Sequence, residues 1–253
     1  MFPHTHTYAA REIAGRSSNL LVLGSILPDL AVTGIVDDWN IGESALEFRN
    51  WLSDRDKNFT DLGLGMMLHE FPCGIDRFTH TNYNGGDGYA YANGRQILSN
   101  VSDCFRVMGF LKLSEDKVRR LSHNFIETGV EFLILKDNPE LVNILRRAVD
   151  NVNIEKCVKY FSEFYGIKDT KVAQAFSAFD TFIKEPDYTS VDGLVEMWKL
   201  IAKQKTGLGI NVENVRRTIQ KSIEIVKPTY SRFISDAISS CKKDAKKFEV
   251  TNG

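Results

Sequence analysis

The stretch SEDKVRRLSHNFIETGVEFLIL, residues 114–135, decides the fold class of this chain. Its apolar residues recur every three or four positions, which places them on one face of an α-helix. Ser114 is followed by two acidic residues, a composition that is typical of a helix start. We therefore predict a long amphipathic helix over residues 114–135.

The same periodicity recurs along most of the chain. It predicts further helices over residues 19–30, 43–51, 61–68, 153–165, 169–184, 190–204 and 211–247. Two loops are predicted over residues 32–42 and 79–94, where polar residues and glycines accumulate. The sequence shows no alternation of period two, so we predict an all-α chain, a compact multi-helix bundle. Residues 1–135 would form its core and residues 136–253 would pack on that core, as one continuous domain.

The charge balance limits the kinds of partner. The 253 residues include 32 Lys and Arg against 33 Asp and Glu, a net charge of −1. This balance gives no strong indication of nucleic-acid binding by bulk electrostatics. The hydrophobic fraction of 43% is too high for a disordered chain. The sequence contains no apolar run long enough for a transmembrane segment, so none is predicted.

Cysteine usage and the start of the sequence bear on the compartment. The cysteines stand far apart and form no C-x-x-C pair: Cys73, Cys104, Cys157 and Cys241. Such spacing indicates isolated thiols rather than a disulfide framework. The first residues also lack the basic and apolar segments of a signal peptide. The sequence therefore predicts a cytoplasmic protein.

Histidine is the most informative residue type in this chain. All histidines lie in the first half: His4, His6, His69, His80 and His123. Histidine is the commonest metal ligand and a frequent general base. The uneven distribution therefore indicates a functional region in the first half of the chain.

Carboxylates accompany several of the histidines at helical spacing. His123 and Glu127 are four residues apart, about one turn, so both side chains lie on one helix face. Asp76 and His80 have the same spacing in reverse order. Asp29 stands at the end of an apolar helix, where its carboxylate can protrude inward from a rigid element.

Each of these patterns also has an ordinary structural explanation. A His/Glu pair at this spacing is common on helix surfaces, and two histidines near the start can belong to a disordered end or a tag remnant. Asp29 can simply mark a helix end. Several such patterns in one chain without paired cysteines favour a catalytic metal cluster over a structural zinc site. We interpret the set as a site for more than one metal ion.

Four stretches carry a resemblance to a known family. They are PHTHTY at residues 3–8, LGSILPD at 23–29, the segment 69–80 with Asp76 inside it, and SHNFIE at 122–127. These stretches resemble the zinc-dependent phospholipase C family, which is related to the single-strand-specific zinc nucleases. The resemblance covers residues 1–135, and the remaining helices match only in being helical.

The resemblance implies an all-α hydrolase that binds two or three Zn²⁺ ions and cleaves a phosphoester with a zinc-activated water. The implied zinc ligands are His4, His6, Asp29, His69, Asp76, His80, His123 and Glu127. Within this set, His80, His123 and Glu127 would hold one ion, and Asp76 would bridge the others. Asp29 is also expected to be catalytic, either by orienting the water or by accepting its proton.

The chain differs from the family pattern in three places. It opens with residues 1–3, MFP, whereas secreted members ligate zinc through the amino group of an N-terminal tryptophan. The gap from His69 to Asp76 is longer than in the family. Secreted relatives also have a histidine between the positions that correspond to Asp29 and His69. We hypothesise that one or both N-terminal histidines replace the missing ligand.

The sequence leaves the substrate open, and it leaves one alternative function. Phe71 and Phe78 would suit a lipid phosphoester, and core packing explains them equally well. Tyr83, Tyr89 and Tyr91 could stack on a nucleotide, and a small-molecule phosphoester fits the composition as well. The alternative is a non-catalytic helical protein that binds metal structurally or serves as a scaffold for a partner.

Overall fold

The computed structural model describes residues 2–36, 40–81, 86–105, 113–206 and 209–249. Regular structure in these ranges is helical. These ranges contain no β-strand. An isolated antiparallel β-bridge joins Thr81 and Asp87. The prediction of an all-α fold is therefore confirmed.

The α-helices of the described residues are, in chain order, α1 (Pro3–Ala14), α2 (Asn19–Ile26), α3 (Asn40–Glu43), α4 (Ala45–Arg55), α5 (Thr60–Met67), α6 (Asp76–His80), α7 (Tyr89–Gly94), α8 (Leu98–Cys104), α9 (Glu115–Asp137), α10 (Leu141–Asn151), α11 (Ile154–Tyr165), α12 (Asp169–Lys184), α13 (Val191–Thr206), α14 (Val212–Val226) and α15 (Tyr230–Glu249). Short 3-10 helices occupy Leu27–Thr33, Lys57–Phe59 and Arg95–Ile97. None of the described helices is at once long and apolar enough to cross a lipid bilayer.

Helix α9 agrees with the prediction for residues 114–135, whereas several other stretches differ from their predictions. The α-helix predicted over residues 19–30 ends at Ile26 and is followed by the 3-10 helix Leu27–Thr33. The loop predicted over residues 32–42 overlaps this 3-10 helix and α3, and its residues 37–39 lie outside the described part. The helix predicted over residues 211–247 is two helices, α14 and α15. Pro228 lies between them, and proline has no N–H with which to continue the helical hydrogen bonds. The loop predicted over residues 79–94 ends in helix α7, and residues 82–85 of that loop lie outside the described part.

Contacts within the chain divide it into two compact units. Unit 1 comprises Met1–Thr5, Asp76–Pro139 and Glu185–Ser235. Unit 2 comprises His6–Ile75, Glu140–Lys184 and Asp236–Gly253. Each unit takes segments from both sides of residue 135, the boundary proposed from the sequence.

In unit 1, helix α9 packs against α7 and α14. A Cβ atom added to Gly129 would lie 2.9 Å from the backbone of Ser222, so α9 and α14 approach closely there. The Phe125 ring stacks on Trp198 with their centroids 4.0 Å apart. The Trp198 Nε1–H donates to Thr128 Oγ1 at 3.2 Å. These contacts fix the position of α9 inside the unit.

In unit 2, helices α2 and α5 cross at two glycines. A Cβ atom on Gly24 would lie 2.1 Å from the carbonyl oxygen of Leu62, and one on Gly65 would lie 2.3 Å from that of Leu21. Only glycine allows two backbones to approach this closely. The crossing holds the ends of α2 and α5 in place, and those ends lead into Asp29 and His69.

Candidate metal centre

Helix α9 carries four charged or titratable side chains on one face. Arg119, His123, Glu127 and Glu131 follow one another at four-residue intervals, so each lies about one turn beyond the last. Arg119 is exposed at one end of this stripe, whereas Glu127 and Glu131 are buried. His123 and Glu127 are among the predicted ligands. Glu131 lies four residues after Glu127, at the same helical spacing, and is not among them.

His80, His123 and Glu127 meet inside unit 1. Each offers a ligand atom, and these atoms all lie within 4.8 Å of one another. His80 Nε2 is 3.4 Å from Glu127 Oε1 and 3.8 Å from Asp76 Oδ2. His123 Nε2 is 3.9 Å from Glu127 Oε2. We call these four side chains, including Asp76, the unit 1 cluster.

Helix α6 places Asp76 and His80 one turn apart. The Thr79 hydroxyl donates to Asp76 Oδ1 at 3.1 Å, which orients the buried carboxylate. Gly88 lies against the end of α6, because its N–H donates to the carbonyl oxygen of His80 at 3.1 Å. Short-range bonds thus hold the α6 half of the cluster.

The surroundings set the protonation states of the α9 ligands. Burial lowers the pKa of His123 to about 4, so its imidazole is neutral at neutral pH. Burial opposes ionisation of Glu127, but the electrostatic surroundings and a hydrogen bond from the His80 side chain hold its pKa below the ordinary value. A neutral imidazole and an ionised carboxylate are the forms that bind a metal ion.

Unit 2 holds a second group, His6, Asp29 and His69, which we call the unit 2 cluster. The imidazole rings of His6 and His69 stack with centroids 3.7 Å apart. Asp29 Oδ2 is 3.8 Å from His6 Nε2, and its Oδ1 is 3.7 Å from His69 Nε2. His69 Nδ1 lies 2.8 Å from the carbonyl oxygen of Ser25, an acceptor, so in a neutral ring Nδ1 carries the proton. The lone pair on Nε2 then faces Asp29, an arrangement that a cation would stabilise.

In each cluster one side chain is more exposed than the others. The Asp29 side chain is 32% exposed and lies in the 3-10 helix that follows α2. The His80 side chain is 29% exposed. Their partners in the two clusters are more deeply buried, so each cluster has an interior part and an accessible edge.

His4 is bound by a residue that was not predicted. Its Nδ1 and its backbone N–H both donate to Glu131 Oε1, at 2.7 and 2.9 Å. The backbone N–H and hydroxyl of Thr5 donate to Glu131 Oε2, at 2.8 and 2.6 Å. Burial raises the pKa of Glu131, but hydrogen bonds and charge from His4, together with bonds from Thr5, bring it below its ordinary value. The role of His4 as a zinc ligand stays a prediction.

The aromatic residues proposed as substrate contacts have different surroundings. The Tyr91 ring lies 4.4 Å from the His123 ring. Tyr89 stacks on Phe233 at 4.0 Å and shares a hydrogen bond with Thr229, so it contributes to packing. Tyr83 lies outside the described residues.

The donor atoms of both clusters are of the types that bind Zn²⁺. Zinc takes imidazole nitrogen and carboxylate oxygen at about 2.0–2.2 Å, and tetrahedral ligands at such distances lie about 3.4 Å from one another. The separations of 3.4–3.9 Å in the unit 1 cluster are close to this spacing. The separations of 3.8 and 3.9 Å are too long for ordinary hydrogen bonds. The unit 2 cluster has the same donor types at 3.7 and 3.8 Å.

Comparison with known proteins assigns neither a family nor a function to this chain. No protein-family model matches the chain, and neither the curated proteins nor the solved structures give a match. The resemblance noted in the sequence therefore stays a prediction, and the function has to be argued from the chemistry of the two clusters.

Proposed function

We propose that this chain is a zinc-dependent hydrolase of the phospholipase C type that cleaves a phosphoester. The observation that carries the proposal is the unit 1 cluster, where two imidazoles and two carboxylates converge at 3.4–3.9 Å. Asp76, His80, His123 and Glu127 would hold one ion. The unit 2 cluster supplies ligands for a second, and a third would need His4 or a further group.

Most of the side chains in the two clusters would ligate metal, and Asp29 would act on the attacking water. Bound Zn²⁺ polarises a phosphoryl oxygen and lowers the pKa of water to about 7. Asp29 is the carboxylate of the unit 2 cluster and its side chain is 32% exposed, so we assign it the orientation of the attacking water or the acceptance of its proton. His69 is held by Ser25, which keeps its Nε2 directed at Asp29.

The alternative is a non-catalytic metal-binding or partner-binding scaffold. Burial of His6, His69 and Glu127 is compatible with a structural metal. The exposed edges at Asp29 and His80 favour the hydrolase, because a catalytic site keeps one position accessible to water and substrate whereas a structural site is closed.

The proposal includes a substrate class and a location. A small-molecule or lipid phosphoester is compatible with the balanced net charge of −1. A cytoplasmic location is compatible with the cysteines: all four are described and buried, and no disulfide joins them.

Hydrolysis of nitrophenyl phosphoesters tests this function. The zinc-loaded chain is expected to release nitrophenolate from a mono- or diester, to lose activity with a chelator and to regain it with zinc. Glu127→Gln is expected to lower kcat/KM at least about 100-fold, since changing even the outer partners of a metal site costs about 10- to 100-fold. Glu196→Gln, an exposed carboxylate on α13, is the matched control and should keep the activity of the unchanged chain.

Short-chain phospholipids extend the panel to lipid substrates. If the zinc-loaded chain cleaves none of these esters, the hydrolase proposal is wrong. Activity of Glu127→Gln equal to that of the unchanged chain would place the chemistry elsewhere.

A further inference from the structure

Arg119 lies beside the unit 1 cluster, one turn before His123 on α9. Its guanidinium carbon is 5.1 Å from the centre of the Tyr91 ring. The same ring lies 4.4 Å from the imidazole of His123. Tyr91 therefore contacts both the guanidinium and a candidate zinc ligand, and it links the metal cluster to an arginine.

Asp87 holds this arginine in place. Arg119 Nη2 donates to Asp87 Oδ1, and Arg95 Nε donates to Asp87 Oδ2 at 3.0 Å. Asp87 is itself fixed next to the cluster, because the Gly88 N–H donates to the carbonyl oxygen of His80. The position of the guanidinium is thus set by a residue whose neighbour in the chain, Gly88, is hydrogen-bonded to a candidate ligand.

The guanidinium keeps donors for another group. A guanidinium carries five N–H donors in a planar fork, and Asp87 takes a bond from one nitrogen of Arg119. The Arg119 side chain is 52% exposed. Arg95, Arg119 and Asp87 together carry a charge of +1, which would attract an anion to this edge of the cluster. An exposed ion pair adds little to the stability of the fold, so stability alone explains the position of Arg119 poorly.

We propose that Arg119 binds an anionic group of the substrate next to the phosphoester and so selects substrates with a second negative charge. The inference rests on the proposed function, since it takes the unit 1 cluster as the place where the phosphoester binds. One helical turn, about 5.4 Å, separates Arg119 from His123 along the axis. That distance suits a neighbouring group rather than the reacting phosphate. Asp87 and Tyr91 are positioning residues that orient the fork.

The chemistry of the recognised group follows from the fork. Arginine binds a carboxylate or a phosphate through two parallel hydrogen bonds, whereas lysine offers only a point charge. A neutral amide of the same size offers one acceptor oxygen and no charge, so it cannot accept both hydrogen bonds of the fork. The substrate class is therefore a phosphoester that carries a further carboxylate or phosphate.

Calorimetric binding of phosphonates to the zinc-loaded full chain tests the inference, because their P–C bond is not hydrolysed. The probes are 4-carboxybenzylphosphonate, its neutral 4-carbamoyl analogue and p-xylylenediphosphonate. We expect at least one charged probe to bind about 10-fold more tightly than the neutral probe. Arg119→Gln should reduce this preference to within about twofold, with unchanged zinc content and unchanged affinity for the neutral probe. The better of the two charged probes identifies the group, carboxylate or phosphate.

Three variants separate a specific contact from bulk charge. Arg120→Gln removes the next arginine on α9, which is exposed and paired with Asp116, and it should keep the full preference. Arg119→Lys should keep part of the preference, because the charge remains and the fork is lost. Asp87→Asn should weaken the preference by loosening the guanidinium.

Several results would overturn the role of Arg119: equal affinity of all probes for the unchanged chain, no binding of any probe, or a preference that survives Arg119→Gln. Failure of the hydrolase proposal looks different. A charged-probe preference that depends on Arg119, in a chain that hydrolyses no ester, would support the anion site and contradict the hydrolase. Hydrolysis without the preference would contradict only the anion site.

Discussion

Replacing Glu131 with glutamine is expected to lower the free energy of unfolding by about 3–5 kcal/mol. The carboxylate is fully buried and accepts hydrogen bonds from His4 and Thr5 at 2.6–2.9 Å. Two of the donors are backbone N–H groups at the start of α1, which have no partner within their own helix. Glutamine has nearly the same shape, but its NH₂ group would face a donor and leave buried groups unsatisfied.

Urea unfolding of Glu131→Gln and of the unchanged chain measures this difference in the free energy of unfolding. The matched control is Glu196→Gln, which removes a 59% exposed carboxylate on α13 paired with Lys199. It should change the free energy of unfolding by less than about 0.5 kcal/mol. If Glu131→Gln were also within about 1 kcal/mol of the unchanged chain, the buried carboxylate would not anchor His4 and Thr5 at the start of α1.

Gly24→Ala is expected to cost about 3 kcal/mol or more. The added Cβ would lie 2.1 Å from the carbonyl oxygen of Leu62, a backbone atom that cannot rotate away, so α2 and α5 must separate. Separation would also weaken the hydrogen bond between His69 Nδ1 and the Ser25 carbonyl oxygen, which is 2.8 Å long. We therefore expect a lower unfolding midpoint in urea and a weaker metal site in unit 2.

Gly42→Ala is the matched control for this substitution. Its added Cβ would have its nearest neighbour at 3.8 Å, an ordinary contact, and alanine is the better helix former. We expect it to be neutral or slightly stabilising. A Gly24→Ala protein as stable as this control would show that α2 and α5 do not depend on the close crossing.

The helical fold could be predicted because its signals are local. Periodicity and the Ser114 cap predicted α9 to within about two residues, the usual uncertainty of helix ends. Two errors have local causes as well. The glycines and tyrosines around Tyr89 favour a loop where α7 forms, and the amphipathic pattern on both sides of Pro228 hides the break between α14 and α15.

The sequence could predict which ligands lie together on one helix, but not which helices meet to form the site. His123 with Glu127, and Asp76 with His80, are four residues apart, so one helix brings each pair together. No spacing in the sequence shows that α6 and α9 meet. Glu131 was missed because its partner His4 is 127 positions away, although its place one turn after Glu127 was visible. Each of the two units combines three separate segments of the chain. No change in composition along the sequence shows where these segments begin and end.

Zinc content per chain tests most directly whether the two clusters hold metal. The measurement is elemental analysis of untagged protein purified without chelator, beside His123→Ala and His69→Ala, with circular dichroism to verify that each variant is folded. We predict two or three zinc ions in the unchanged chain, and the loss of at least one ion in each variant. A folded, unchanged chain that carries no transition metal, even after zinc is supplied at neutral pH, would contradict the assignment of both clusters.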